Sequence, residues 1–419
     1  MEPEIQDDTT VNNIEATAIS QDLQERYTHW KKNTRLLYDY LNTNSTKWPS
    51  LSCQFFQDVN TKNDSHRILL SSFTSGLMPE QESINIMSIS TLKHVPWASL
   101  NNFDMDEMEF KPDNNLKLPP KNLHTEQTIT FPNGDCNRAR YLPQNQDIIA
   151  GASSDGTVYI FNRTKYGSTL RQTSSFQSYQ ARFAEPENTV QSVDSNPNEA
   201  LSIDWNVQRE GLLAASYSDG EIKTWDLKKF SNANTTITTP TVSIMMDTNG
   251  ANDVTWMPLH DSLLAACGES NKLIIYDIRG SREHTTISSG IHEDGINACR
   301  FNYANNLIVA SADTVGNVHI WDIRKSNEIV KTIPHGSSIS TIEWNPNMDT
   351  ILATAGQDDG LVKLWDVTDS ELIFTHGGHM LGVNDISWNR HDPWLMCSVA
   401  RDNSVQIWRP AHNLVEEQV

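Results

Sequence analysis

The feature that most constrains this chain is that it repeats itself. From about residue 135 onward, six segments follow one plan. Each has an alternating apolar strand, a turn, a strand of small and branched residues, a polar Asp/Asn/Gly turn, and a closing strand ending in an aromatic residue plus Asp or a substitute. The closing strands read GTVYIFN, GEIKTWD, KLIIYD, NVHIWD, LVKLWD and SVQIWR. Their aromatic residues, Phe161, Trp225, Tyr276, Trp321, Trp365 and Trp408, are separated by 64, 51, 45, 44 and 43 positions. A second series, Trp205, Trp256, Phe301, Trp344 and Trp388, keeps step at 51, 45, 43 and 44. A period of about 40 to 45 residues holding four short strands predicts a β-propeller, because a lone four-stranded sheet cannot bury both faces and must stack on a neighbour. The spacing of 64 is one period plus an insertion within 163–199, a Ser/Gln/Asn-rich stretch that reads as a solvated loop.

Six clear repeats span only 135–410, so a seventh must come from the segment before them. There WPSLSCQFFQD, HRILLSSFTS and SINIMSISTL are three strand-like runs. One of them is expected to complete the last blade, so that the ring closes without an unpaired edge. The acidic, Pro-broken stretch near 102–125 reads as a second insertion. The fold class is therefore all-β, a seven-bladed propeller over 43–410 with an N-terminal α-helix. Residues 1–19 are expected to be a disordered acidic N-terminus and 411–419 a C-terminal tail.

The helix is expected over 20–42. Leu23, Tyr27, Trp30, Thr34, Leu37 and Leu41 recur at spacings of 4, 3, 4, 3 and 4, which puts them on one face of a helix about 31 Å long packed against the propeller. Ser20 is placed to cap its start, and Pro49 forbids continuation beyond Trp48. Tyr38 and Leu36 fall off that line. One edge of the helix is thereby left to wall a groove of the kind that accepts a partner helix.

Charge narrows the function classes. With 53 acidic and 32 basic residues the net charge is -21, a field that repels a phosphate backbone and attracts basic proteins, so no direct nucleic acid partner is expected. No run of about 18 apolar residues suggests a membrane helix, and the start MEPEIQDDTT is unlike a secretory or import leader. The five cysteines, Cys53, Cys136, Cys267, Cys299 and Cys397, form no CxxC pair and read as buried free thiols. His292, His335 and His379 recur 43 and 44 apart. This is the pattern of WD-repeat blades, in which such a His joins a turn Asp, a Ser or Thr and the closing Trp. Here that set is expected to be His379, Asp385, Ser398 and Trp408. A hydrolase triad uses the same residue types, but a catalytic set occurs once whereas this one repeats. No glycine-rich phosphate loop stands in a strand-to-helix context, so no catalytic residue, metal, cofactor or small-molecule substrate is expected.

ERYTHWKKNTRLLYDYLNTNSTKWPSL, CNRARYLPQN and FTHGGHMLGVNDISWNRHDPWLMCSVARDNSVQIW are more specific than the repeat. Through them the chain, from about residue 20 on, resembles the histone-binding WD-repeat family, and within it the small subunit of chromatin assembly factors. The resemblance implies a non-catalytic nuclear scaffold, present also in the cytoplasm, that binds core histones three and four with larger assembly subunits during replication. Related subunits of histone acetyltransferase, deacetylase and remodelling complexes share the fold and are the nearest alternative. A substrate adaptor of a ubiquitin ligase is a more distant one.

The resemblance further implies two surfaces. A groove beside the leading helix would take a histone helix on Leu37, Phe374 and Thr375, with Asp369 and Glu371 as its acidic wall. The loop supplying that wall is shorter and less acidic here than in the family. Packing within the blade is the other reading of Phe374. The channel face would take a histone tail at Asp135, Asn137, Glu199, Asn252, Asn297 and Ser338, several of which lack the family's carboxylates.

Overall fold

The computed structural model describes residues 21–60, 64–91, 103–104, 109–110, 123–165, 179–184, 198–230, 235–280 and 284–415. Seven antiparallel sheets form the blades of a propeller. Blade one holds the strands Cys53–Asn60, Ser65–Ser71, Ser83–Ser90 and His124–Thr130. The inner strands of blades two to seven are Cys136–Leu142, Ala200–Trp205, Ala251–Trp256, Ile296–Phe301, Ile339–Trp344 and Val383–Trp388. All three early strand-like runs belong to blade one, so none of them closes the ring.

The closing strand is Tyr38–Ser45, antiparallel to Ser404–Pro410, with Leu41 opposite Trp408. This corrects the expected helix end. Helix α1 runs Gln21–Leu37, about 26 Å, and the chain leaves it at Tyr38 because the open edge of blade seven offers a ladder of backbone partners. Leu41, counted on the helical stripe, is buried in that sheet. Ser20 and residues 1–19 lie outside the described residues, as does most of 102–125 and 163–199. Of these insertions the structure describes a two-residue pairing, Phe103–Asp104 with Glu109–Phe110. It also describes Ala181–Phe183, the fourth strand of blade two, which pairs in parallel with Thr236–Ile237.

Both aromatic series acquire a physical reason. The inner-strand indoles tie each blade to the preceding one. Trp205 Nε1 donates to Arg140 O, Trp256 to Asp204 O, Trp344 to Arg300 O and Trp388 to Glu343 O, each at 3.1 Å. The closing-strand indoles instead hold a hydroxyl inside their own blade. Trp321 donates to Ser311 at 2.8 Å, Trp365 to Thr354 at 3.0 Å and Trp408 to Ser398 at 3.1 Å. The same hydroxyls meet His292, His335 and His379 at 2.7 Å. The repeated set is thus structural, with one correction. Its carboxylate in blade seven is Asp402, 3.8 Å from His379 Nδ1 and linked through Ser404, and Asp385 takes no part in it. Asp385 lies on the inner strand, where it accepts from Cys53 N–H at 2.9 Å and Arg140 at 3.0 Å.

Asp385 belongs to a second pattern, in which inner-strand side chains accept an N–H from the next blade. Ser52 receives Ala139 N–H, Gln54 receives Tyr141, Asp253 receives Cys299 and Glu343 receives Trp388, all at 3.1 Å, while Asp204 receives Trp256 at 2.7 Å. Enclosure in the channel, then the neighbouring Asp385, pushes the Glu343 carboxyl up to about 8. The folded chain therefore holds a proton there that the unfolded chain releases, and stability falls as pH rises from the ordinary glutamate value toward 8. Glu343→Gln keeps an acceptor for Trp388. It is expected to remove a penalty of a few kcal/mol at pH 9, on a scale of about 1.4 kcal/mol per pKa unit, and to change little at pH 5. Denaturant midpoints at the two pH values check this; an equal effect at both would contradict it.

Candidate functional site

Helix α1 rests on the propeller at few points. Trp30 and Thr34 are its buried residues, while Leu23, Tyr27 and Leu37 of the same stripe are half-buried. Trp30 packs edge-on against His376 of the outer strand of blade six, Glu371–His376, at 5.8 Å. The approach is close because Gly377 carries no side chain; a Cβ there would stand 3.3 Å from the indole. Trp30 Nε1–H donates to Tyr38 Oη at 2.8 Å, and Tyr38 O–H donates to His376 Nδ1 at 2.8 Å. Burial pushes His376 well below the usual imidazole range, so it stays neutral and remains an acceptor.

Tyr38 also meets Phe374 at 5.3 Å and Trp408 at 6.3 Å. Phe374 is 5% exposed, which corrects its expected place on a groove floor. It is packing inside the blade, pinned between Tyr38 and Trp408. Leu37 is half-buried against the same cluster, and its carbonyl accepts Ala411 N–H at 2.8 Å. Thr375 is half-buried in the sheet opposite Lys363.

What remains open is a different set. Leu36, off the helical stripe, is 73% exposed at the end of α1. Leu372 on the outer strand is 44% exposed, and Leu414, on the C-terminal turn that docks beside Leu37, is 41% exposed. Helix end, outer strand and C-terminal turn all converge on the buried cluster of Tyr38, Phe374, Trp408 and Val415, and each presents one leucine to solvent. Asp369 and Glu371 are exposed on the same outer strand and the turn before it. The arrangement is an apolar slot with an acidic rim. Only Leu36 was signalled in the sequence, as the residue that the helical stripe leaves out.

The channel face is less available than expected. The second residue of most inner strands sits at a register shift that turns its side chain toward the next blade. Asn137 donates to Ala200 O at 3.0 Å, Asn252 to Ile296 O at 3.1 Å and Asn297 to Ile339 O at 2.8 Å. These three expected tail-binding amides are blade-to-blade staples. Asp135 accepts Gly76 N–H at 3.2 Å, and Ser338 donates to Gln357 at 3.3 Å. Asp135 and Glu199 are the carboxylates this face retains. His292, Asp313 and His319 bring three donor groups together, but both nitrogens of His292 already serve Asp313 and Ser311, and His319 Nδ1 meets Thr332. That grouping is the structural set of blade five.

The chain is 59% identical over 409 residues, 96% of its own length and 97% of the relative's, to the histone-binding protein MSI1 of Saccharomyces cerevisiae. The chain belongs to the histone-binding WD-repeat family. A family model described as histone-binding protein RBBP4 or a subunit of the CAF1 complex matches residues 25–93, the stretch that carries α1, the closing strand and blade one. A WD domain, G-beta repeat, model matches 370–409, and one for eukaryotic translation initiation factor eIF2A matches 199–358, a run of repeated blades that carries no functional statement by itself. More distant members of this histone-binding family are histone acetyltransferase type B subunit 2 of Schizosaccharomyces pombe and of Mycosarcoma maydis. They are 30% and 29% identical over 67% and 63% of this chain. The chain spans less than two thirds of those two relatives, 62% and 60% of their lengths.

Proposed function

We propose that the chain is a non-catalytic, nuclear histone-binding scaffold of a chromatin assembly complex, holding core histones three and four for larger subunits. The single observation that carries the reading is the slot of Leu36, Leu372 and Leu414 rimmed by Asp369 and Glu371. It suits a cationic amphipathic helix: apolar burial supplies affinity, and the field of a chain at net -21 speeds encounter and disfavours other partners. Kinship with the yeast histone-binding protein supports the partner class. The same net charge disfavours direct contact with nucleic acid.

Purified chain incubated with an equimolar mixture of the four core histones should retain histones three and four and leave the other two in the flow-through. Equal retention of all four would reduce the slot to a general polyanion effect, and retention of none would end the proposal. A second reading, a subunit of a type B histone acetyltransferase, is favoured by the two more distant relatives. Identifying the large subunits that co-purify from cells separates the two.

A further inference from the structure

Three arginines enter the central channel, and two of them are committed. Arg140 pairs with Asp385 at 3.0 Å and donates to Ser52 Oγ at 2.7 Å. Arg300 pairs with Asp253 and donates to Cys299 O at 2.7 Å. Arg138 precedes Arg140 by two residues on the same strand, and strand alternation sends its side chain to the same side. Its Nε and Nη1 are nevertheless buried with no hydrogen-bond partner.

The neighbouring carboxylates have no room for it. Asp253 already takes Ser202 O–H at 2.7 Å, Cys299 N–H at 3.1 Å and Arg300. Asp385 takes Cys53 N–H, Arg140 and Ile386 N–H at 2.9, 3.0 and 3.0 Å. At the level of Arg138 the inner strands of blades one, three, five and six carry Ser52, Ser202, Ala298 and Thr341, short side chains that leave space in front of the guanidinium. A guanidinium stays protonated in any protein environment, and enclosing it without a counter-charge is unfavourable.

We propose that Arg138 is the principal ligand of a small oxyanion of the phosphate class held in the channel. Arg138 supplies charge-assisted N–H donors to it, while Arg140 and Arg300, bound to their own carboxylates, hold the strands that shape the site. The anion completes the electrostatics of the channel and acts as a stabilising ligand of the folded ring. The site lies apart from the leucine slot and does not depend on what that slot binds.

The test compares thermal unfolding of the full chain with that of Arg138→Met, in sodium chloride and in inorganic phosphate at matched ionic strength. In chloride, Arg138→Met should melt at or above the wild-type temperature, since it removes an uncompensated buried charge. In phosphate the order should reverse, with a saturable wild-type rise of about 2 to 4 °C that the variant lacks. Equilibrium dialysis with radiolabelled phosphate should give one site per wild-type chain and none in Arg138→Met. Arg138→Gln, which keeps polar N–H groups, serves if the methionine variant does not fold. Equal rises in wild type and variant would be the general exclusion effect of phosphate on any protein surface and would overturn the proposal. So would a dialysis result without a saturable site.

Discussion

Tyr38→Ala is expected to lower the unfolding free energy by about 4 to 6 kcal/mol, the largest single-residue loss this chain should show outside the inner-strand tryptophans. Truncating a fully buried aromatic typically costs about 3 to 5 kcal/mol through lost transfer energy and the cavity left behind. Here two partners are orphaned as well, the Trp30 indole N–H and His376 Nδ1, both 2.8 Å from the phenol oxygen. The loss falls on the seam that closes the ring, because Tyr38 begins the strand paired with Ser404–Pro410. It should also release α1, whose hold on the propeller passes through Trp30. Urea denaturation gives the magnitude, and limited proteolysis after Arg26, Lys31 or Arg35 reports the helix. Tyr38→Phe keeps the ring and should cost about 1 to 3 kcal/mol. A full-sized loss in Tyr38→Phe would mean that the ring contacts matter less than the hydrogen-bond chain; a negligible loss in Tyr38→Ala would refute this view of the seam.

The second large effect concerns binding. Leu36→Arg combined with Leu372→Arg is expected to weaken histone retention by at least about 100-fold. Each exposed leucine that becomes buried in a complex contributes on the order of 1.5 to 3 kcal/mol, and each introduced cation both resists desolvation and repels a basic guest. Both positions are largely solvent-facing, so the melting temperature should stay within about 2 °C of wild type. Leu37 is unsuited to this test, because it is half-buried against the Tyr38 cluster and a charge there would damage the helix seat. Titration by fluorescence anisotropy with a labelled histone helix measures the change. Unaltered affinity in a folded double variant would remove the slot from the binding surface.

The sequence by itself determined the ring: the period, the two aromatic series and the recurring histidines are local, and each repeat carries the same hydrogen-bonding duties in the same order. It also determined the partner class, through net charge and the segments shared with the histone-binding family. Only the tertiary structure decided which residues are free to meet a partner. Tyr38 reads as the helix's spare edge but becomes the start of the closing strand, because the unpaired edge of blade seven is supplied by residues at the far end of the chain. Phe374 reads equally as floor or as packing, and the arrival of Tyr38 and Trp408 from opposite ends of the chain buries it. Asn137, Asn252 and Asn297 read as a polar rim, yet a register shift at each turns the amide onto the backbone of the next blade. Asp385 and Asp402 are interchangeable by composition and spacing, and the direction of one strand's side chains separates them. A periodic pattern specifies contacts within a repeat; exposure depends on which distant repeat lies alongside, and no local pattern encodes that.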